Sequence, residues 1–153
     1  MAAEAFTRAD GPGHYVVNRI SRGPWDPNSL HARVLAGLFG HAVEIGYGGD
    51  DFHVARLTID LYRLPTLAPC EIASRYVREG NRIRVVEVEY LSQGVSYARG
   101  TAVLLKRAEN PTGTVWAPPD WTAPKPGELP EQRMGAGIAS GNWEPMWETR
   151  AVT

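Results

Sequence analysis

Asp26 and His31 stand five residues apart in the stretch WDPNSLH. An imidazole titrates near neutral pH and serves as base or acid, and a carboxylate can serve as a base. His31 alone could hold a water or a reacting carbonyl. The plainer readings are a buried histidine bonded to a loop carbonyl and an aspartate that fixes the loop. Asp60 stands among apolar residues in ARLTIDLYRL and is a third candidate. Glu44 is poorly placed for a helix C-terminus and reads as a solvated or paired side chain. His41 and His53 read as surface residues. The four histidines show no HExxH or similar spacing, so no metal is expected. Arg78, Arg82 and Arg84 could donate to phosphates, with solvated strand arginines as the alternative.

These side chains need elements to hold them. Ser29 to Glu44, SLHARVLAGLFGHAVE, is the one long segment with helical periodicity, and Ser29 is the expected N-cap. Leu30, Val34, Leu35, Leu38, Phe39, Ala42, Val43 and Ile45 cover an apolar arc of roughly 200°. That width predicts a helix wrapped by something concave. Gly37 and Gly40 each cost about 1 kcal/mol against Ala in an exposed helix, and close approach to a neighbour would offset it. His31, in the first turn, points into the domain or toward a cleft between two copies. The N–H groups around Ala32 and Arg33 supply the positive end of the helix dipole.

From Val54 the period falls to two. Leu57, Ile59 and Leu61 alternate with Thr58, Asp60 and Tyr62. Strands are also expected over Cys70–Glu79, Arg82–Leu91 and Val95–Lys106, with turns at Gly80-Asn81 and Ser92-Gln93-Gly94. HYVVNRI (14–20) reads as a short strand, and SRGPWDPN as a loop stiffened by Pro27. Residues 1–13 read as a flexible arm and 14–107 as the folded domain. Residues 108–153 form a Pro/Trp-rich extension, holding seven of twelve prolines and four of five tryptophans. Trp116, Trp121, Trp143 and Trp147 are expected on a domain surface or a partner, and MWETRAVT could begin another strand. One helix wrapped by a curved antiparallel meander is an α+β, hotdog architecture. Its open sheet edge implies a homodimer or higher homo-oligomer through sheet edges, or a pseudo-dimer with another domain.

The 153 residues suit one domain with a real core. A net charge of −1 offers no basic stripe for nucleic acid. Cys70 is the sole cysteine, which excludes an internal disulfide and suits a reducing cytoplasm. No apolar run reaches the ~20 residues of a membrane span, and the N-terminus has no signal-peptide core.

GPWDPNSLHARVLAGLFGHAVE resembles the loop and central helix of TesB-like acyl-CoA thioesterases, often GPW-DP-x-x-x-HGG before an Ala/Leu-rich helix. ARLTIDLYRLPTLAPCEIASRYVREGNRIRVVEVEYLSQGVSYARGTAVLLKR is similar to that family's three-strand meander. The resemblance covers about residues 14–107. It implies an N-terminal hotdog domain and acyl-CoA thioester hydrolysis or binding with no cofactor. It also makes the Pro/Trp stretch similar to the linker toward a second hotdog. Ala32 and Arg33 stand where the family has two glycines, and Arg56 and Ala102 near its Asp and Gln positions. The resemblance therefore leaves Ala32, Arg33 and Arg56 as substrate-side candidates, with His31, Asp26 and Asp60 as the catalytic ones. DPNSLH is also similar to the D-x-N-P-L-H motif of MaoC-like hydratases, which implies an Asp26/His31 enoyl-CoA hydratase as an alternative. A non-catalytic acyl-CoA-binding or dimerisation domain is a third reading.

Overall fold

Residues 4–109, 112–114, 116–120, 122–130 and 150 are described in a computed structural model. The chain divides into two units, 1–108 and 109–153.

In the first unit the strands are β1 (Thr7–Ala9), β2 (His14–Val17), β3 (Phe52–Leu61), β4 (Cys70–Glu79), β5 (Ile83–Ser92) and β6 (Val95–Lys106). They form one antiparallel sheet in the order β1-β2-β4-β5-β6-β3. The one α-helix among the described residues of this unit, α1 (Ala32–Val43), packs on the curled sheet. The expected hotdog is the observed fold.

Alternation decides which side chains meet the helix. Leu104, Ala102 and Ala98 on β6 are buried, as are Tyr90, Val88 and Val86 on β5 and Ile72 and Cys70 on β4. Leu35, Leu38, Phe39 and Val43 of α1 close this core. Gly100 is the one β6 position between them without a side chain. A Cβ there would sit 2.8 Å from the Phe39 ring and 3.2 Å from the Thr58 carbonyl oxygen, so Phe39 occupies the volume that Gly100 leaves empty. The β5–β6 turn, Gln93-Gly94, has positive φ at both residues (51° and 75°), the backbone twist that suits a tight hairpin.

Four expectations change. The helix begins at Ala32, not Ser29, because Ser29 is consumed by the preceding loop: its Oγ donates to the Asp26 carbonyl and accepts from the Asp26 N–H. The helix buries one face only. Ile45 is 73% exposed, and a Cβ at Gly37 or Gly40 would meet nothing within 4 Å among the described residues, so none of these accounts for those glycines. The helix also continues past Val43 as a π-helical turn, Glu44–Gly48. Lastly, the segment expected as a flexible arm contributes β1. The Asn18 side chain donates to the Ala5 carbonyl, buried Ser21 donates to the Phe6 carbonyl, and the Gly13 carbonyl accepts from Ile72 N–H.

In the second unit a 3-10 turn spans Pro126–Glu128, and the Arg150 guanidinium donates to the Leu129 carbonyl. Trp116 is exposed. Trp121, Trp143, Trp147 and most of MWETRAVT lie outside the described residues.

Candidate functional site

The loop 21–31 holds the helix start by backbone bonds on two sides. Gly23 N–H donates to the Ser29 carbonyl, and His31 N–H to the Ser21 carbonyl. Leu30 N–H reaches the Pro65 carbonyl at 2.8 Å, and Leu67 N–H the Asn28 carbonyl at 2.9 Å. The expected rigidity therefore comes from cross-chain knitting as much as from Pro27. A Cβ at Gly23 would lie 3.2 Å from Ser29 Oγ and 3.3 Å from the Leu30 carbonyl oxygen, a second reason for the close weave.

His31 is the residue this weave positions. It is the N-cap of α1: its Nδ1 accepts from Arg33 N–H at 3.1 Å, and its carbonyl accepts from Val34 N–H. Asparagine, aspartate and serine usually do this, and an imidazole does it only through an unprotonated nitrogen. Partial burial pushes the His31 pKa down, and the Arg33 guanidinium adds to the effect. A neutral ring with Nδ1 as acceptor carries its proton on Nε2. That N–H lies on the residue that caps a helix N-terminus, and both kinds of group suit an oxygen that gains negative charge.

Asp26 shares this junction. Its Oδ1 accepts from Asn28 N–H at 2.7 Å, an Asx turn on an exposed loop. Ala32 and Arg33 are exposed in the first turn, and the Arg33 N–H is already taken by His31. Asp60 and Arg56 are placed elsewhere. They share the exposed side of β3 with Thr58, opposite the side that carries Leu57 and Ile59 toward the helix. Asp60 stands in register with Arg99 of β6, and Arg56 with Val103, just past a bulge at Ala55.

Two features escape the sequence reading. Arg84 lies on the helix side of β5, 3.8 Å over the Phe52 ring, and donates to the Tyr47 carbonyl at 2.7 Å. Its parity with Val86, Val88 and Tyr90 was the available signal. Cys70 lies buried beside the Tyr90 hydroxyl, and burial raises the pKa of both, so the thiol stays protonated at neutral pH. Two surface clefts lie elsewhere. One of about 270 Å³ is lined by His14, Tyr15, Cys70, Glu71 and Ser92 among others. The other, about 380 Å³, is lined by Gly48, Gly49, Asp50, Asp51, Phe52 and Arg84. Neither is lined by Asp26, His31 or Asp60. Among the described residues no three His, Cys, Asp or Glu side chains converge as metal ligands would, and no helix is long and apolar enough to cross a membrane.

A family model described as the acyl-CoA thioesterase N-terminal domain matches residues 21–105. That span takes in the knitted loop, α1 and all four long strands, more than half of the chain. The chain belongs to this acyl-CoA thioesterase family. No curated protein matches it significantly. Among solved structures, a conserved protein with a hotdog fold from Alicyclobacillus acidocaldarius is similar at 19% identity and a TM-score of 0.62. A provisionally named thioesterase II from Thermobifida fusca is similar at 15% identity and a TM-score of 0.62. In both, 86% of this chain aligns with 48% of the other, so the chain spans about half the length of these neighbours. A Bacillus halodurans protein solved with CoA is similar at 18% identity and a TM-score of 0.53, over 61% of this chain and 69% of that one. These likenesses establish the hotdog fold.

Proposed function

We propose that this domain hydrolyses acyl-CoA thioesters as a TesB-like thioesterase, with His31 at the head of α1 as the residue that meets the thioester carbonyl. The observation that carries the reading is the His31 cap: one side chain fixes the helix start and leaves a neutral imidazole with its proton on Nε2. The hotdog neighbour solved with CoA supports the ligand class.

In hydrolysis a water oxygen adds to the thioester carbon, the C–S bond breaks, and CoA leaves as a thiol. The negative charge that builds on the carbonyl oxygen is met by the His31 Nε2–H and by the positive end of α1. Asp26 is the carboxylate at the same junction; it takes the proton of the attacking water and returns it to the departing sulfur. Ala32 and Arg33 border the acyl-CoA where it crosses the first turn. The domain acts as a homodimer joined at a sheet edge. The lone buried Cys70 and the absence of disulfide chemistry suit the cytoplasm.

The test is free CoA release from acyl-CoAs of graded chain length, read with a thiol reagent. His31→Ala and His31→Asn separate chemistry from capping, because asparagine also caps. We expect release by the parent protein, a loss of at least about tenfold in both variants, and near-parental melting for His31→Asn alone. No release from any chain length overturns the reading, and so does release that neither variant changes. Conversion of an enoyl-CoA without CoA release points instead to Asp26/His31 hydratase chemistry.

A further inference from the structure

The expected cap of α1 is Ser29 and the observed cap is His31. A helix begun at Ser29 would draw His31 into its first turn. The Nδ1 that now accepts from Arg33 N–H would then lose the extended backbone that lets a cap side chain turn back. Part of the choice is made at Ser29, whose hydroxyl is spent on the Asp26 backbone. The rest falls to whatever keeps His31 extended, at φ −72° and ψ 130°.

Ser21 does so. Its carbonyl accepts from His31 N–H at 2.8 Å, and Gly23 N–H donates to the Ser29 carbonyl at 2.7 Å. The segments 21–23 and 29–31 therefore lie side by side as a short antiparallel pair, bridged at Arg22 and Leu30. Paired in this way, His31 stays in strand-like backbone up to the point where the helix begins.

Ser21 is tied in its turn to the N-terminal strand. It closes a 3-10 turn over Arg19–Ser21, it is 0% exposed, and its hydroxyl donates to the carbonyl of Phe6, just ahead of β1. The same Phe6 carbonyl accepts from Asn18 N–H at 3.0 Å, and the Ala5 carbonyl accepts from the Asn18 side chain at 2.8 Å. A surface serine whose acceptor moved away would turn to water. A buried one has no such substitute, so Ser21 stays where Phe6 holds it. Phe6, Ser21 and His31 thus form a bonded route from the N-terminal strand to the ring at the head of α1.

We propose that the Phe6–Ser21 bond selects His31 over Ser29 as the cap of α1, and that the N-terminal strand positions the reacting imidazole through Ser21. Ser21 is a positioning residue: it acts through His31 and touches no substrate. The lock stands on the fold alone, and its effect on turnover rests on the thioesterase reading above. A displaced imidazole costs turnover more than binding, because the charge it meets exists only on the way to product.

Imidazole nitrogen NMR, amide hydrogen exchange and CoA release test it on the whole chain. In the parent, His31, assigned by its loss in His31→Asn, should hold the Nε2–H tautomer, and its amide should exchange slowly. Ser21→Ala should mix the His31 tautomers and speed exchange at that amide. It should also lower kcat roughly tenfold to a hundredfold with little change in KM. A chain begun at Thr7 loses the Phe6 acceptor and should behave as Ser21→Ala does, so adding Ser21→Ala to it changes little more. Should Ser21→Ala fail to fold, the shortened chain carries the comparison. Ser92→Ala is the control. Ser92 is 3% exposed and donates to the Pro69 carbonyl at 2.8 Å, and among the described residues neither bonds to the loop 21–31. Its loss should lower the urea midpoint and leave the His31 signals and kcat unchanged. A freely exchanging His31 amide or mixed tautomers in the parent overturn the proposal. So does a Ser21→Ala chain whose His31 signals and kcat change no more than those of Ser92→Ala. A parent that releases no CoA overturns the thioesterase reading instead, and the NMR and exchange results still decide the lock.

Discussion

His31 joins two tasks in one ring, and pH separates them. The folded chain needs Nδ1 unprotonated to accept from Arg33 N–H, and burial with Arg33 lowers the pKa below its ordinary 6.5. As pH falls through 6.5 the unfolded chain takes up the proton first, so the contribution of His31 to stability is present above that pH and is lost below it. Urea unfolding followed from pH 8 to pH 5 should show a decline in stability that His31→Asn reduces. An unchanged slope in that variant would remove the cap from the account. At this scale the sequence was half legible. WDPNSLH pointed to Asp26 and His31, and both lie on the stretch that leads into α1. It also pointed to Ser29 as the cap, because nothing local reveals that the Ser29 hydroxyl is spent on the Asp26 backbone.

The glycines of α1 and β6 look alike in sequence and differ in what surrounds them. Gly100 faces the Phe39 ring at a distance no Cβ tolerates. Gly100→Ala should destabilise the domain by about 1–3 kcal/mol through overpacking, measured as a fall in the urea midpoint. Gly37 sits on the exposed face of α1 with open space around it. Gly37→Ala should stabilise the chain by up to about 1 kcal/mol through helix propensity. If that substitution destabilises, something other than the described residues touches this face. Strand bounds were well read, because period-two alternation in β3 to β6 is long and turn residues mark its breaks. The inward place of Arg84 was not, since its charge outweighed its parity until the structure set it over Phe52.

On the scale of the molecule, the expected domain boundary after residue 107 rests on composition, and the chain divides into units 1–108 and 109–153. We expect residues 1–108 expressed alone to unfold cooperatively near the melting temperature of the whole chain. Removal of residues 1–13 should instead lower it, because buried Ser21 and Asn18 lose their acceptors on Phe6 and Ala5, and β4 loses the Gly13 carbonyl. Thermal melts of the two truncations distinguish these outcomes. The N-terminal strand escaped the sequence because three residues carry too short an alternation to register. The hotdog architecture did not, because a buried helix followed by a long meander leaves few other ways to close a core.

The order of the sheet also sets a timetable. β3 is the first long strand to leave the ribosome, yet its pairing strand is β6, the last. Until residue 106 is made, Phe52–Leu61 has both flanks bare, and its apolar side waits without a sheet. Arg56 and Asp60 then act as gatekeepers within a segment that would otherwise stack on its neighbours during synthesis. The helix start waits as well, because Leu30 and Asn28 fasten to Pro65 and Leu67 beyond β3. The junction proposed to do chemistry is therefore set in place only as the sheet closes.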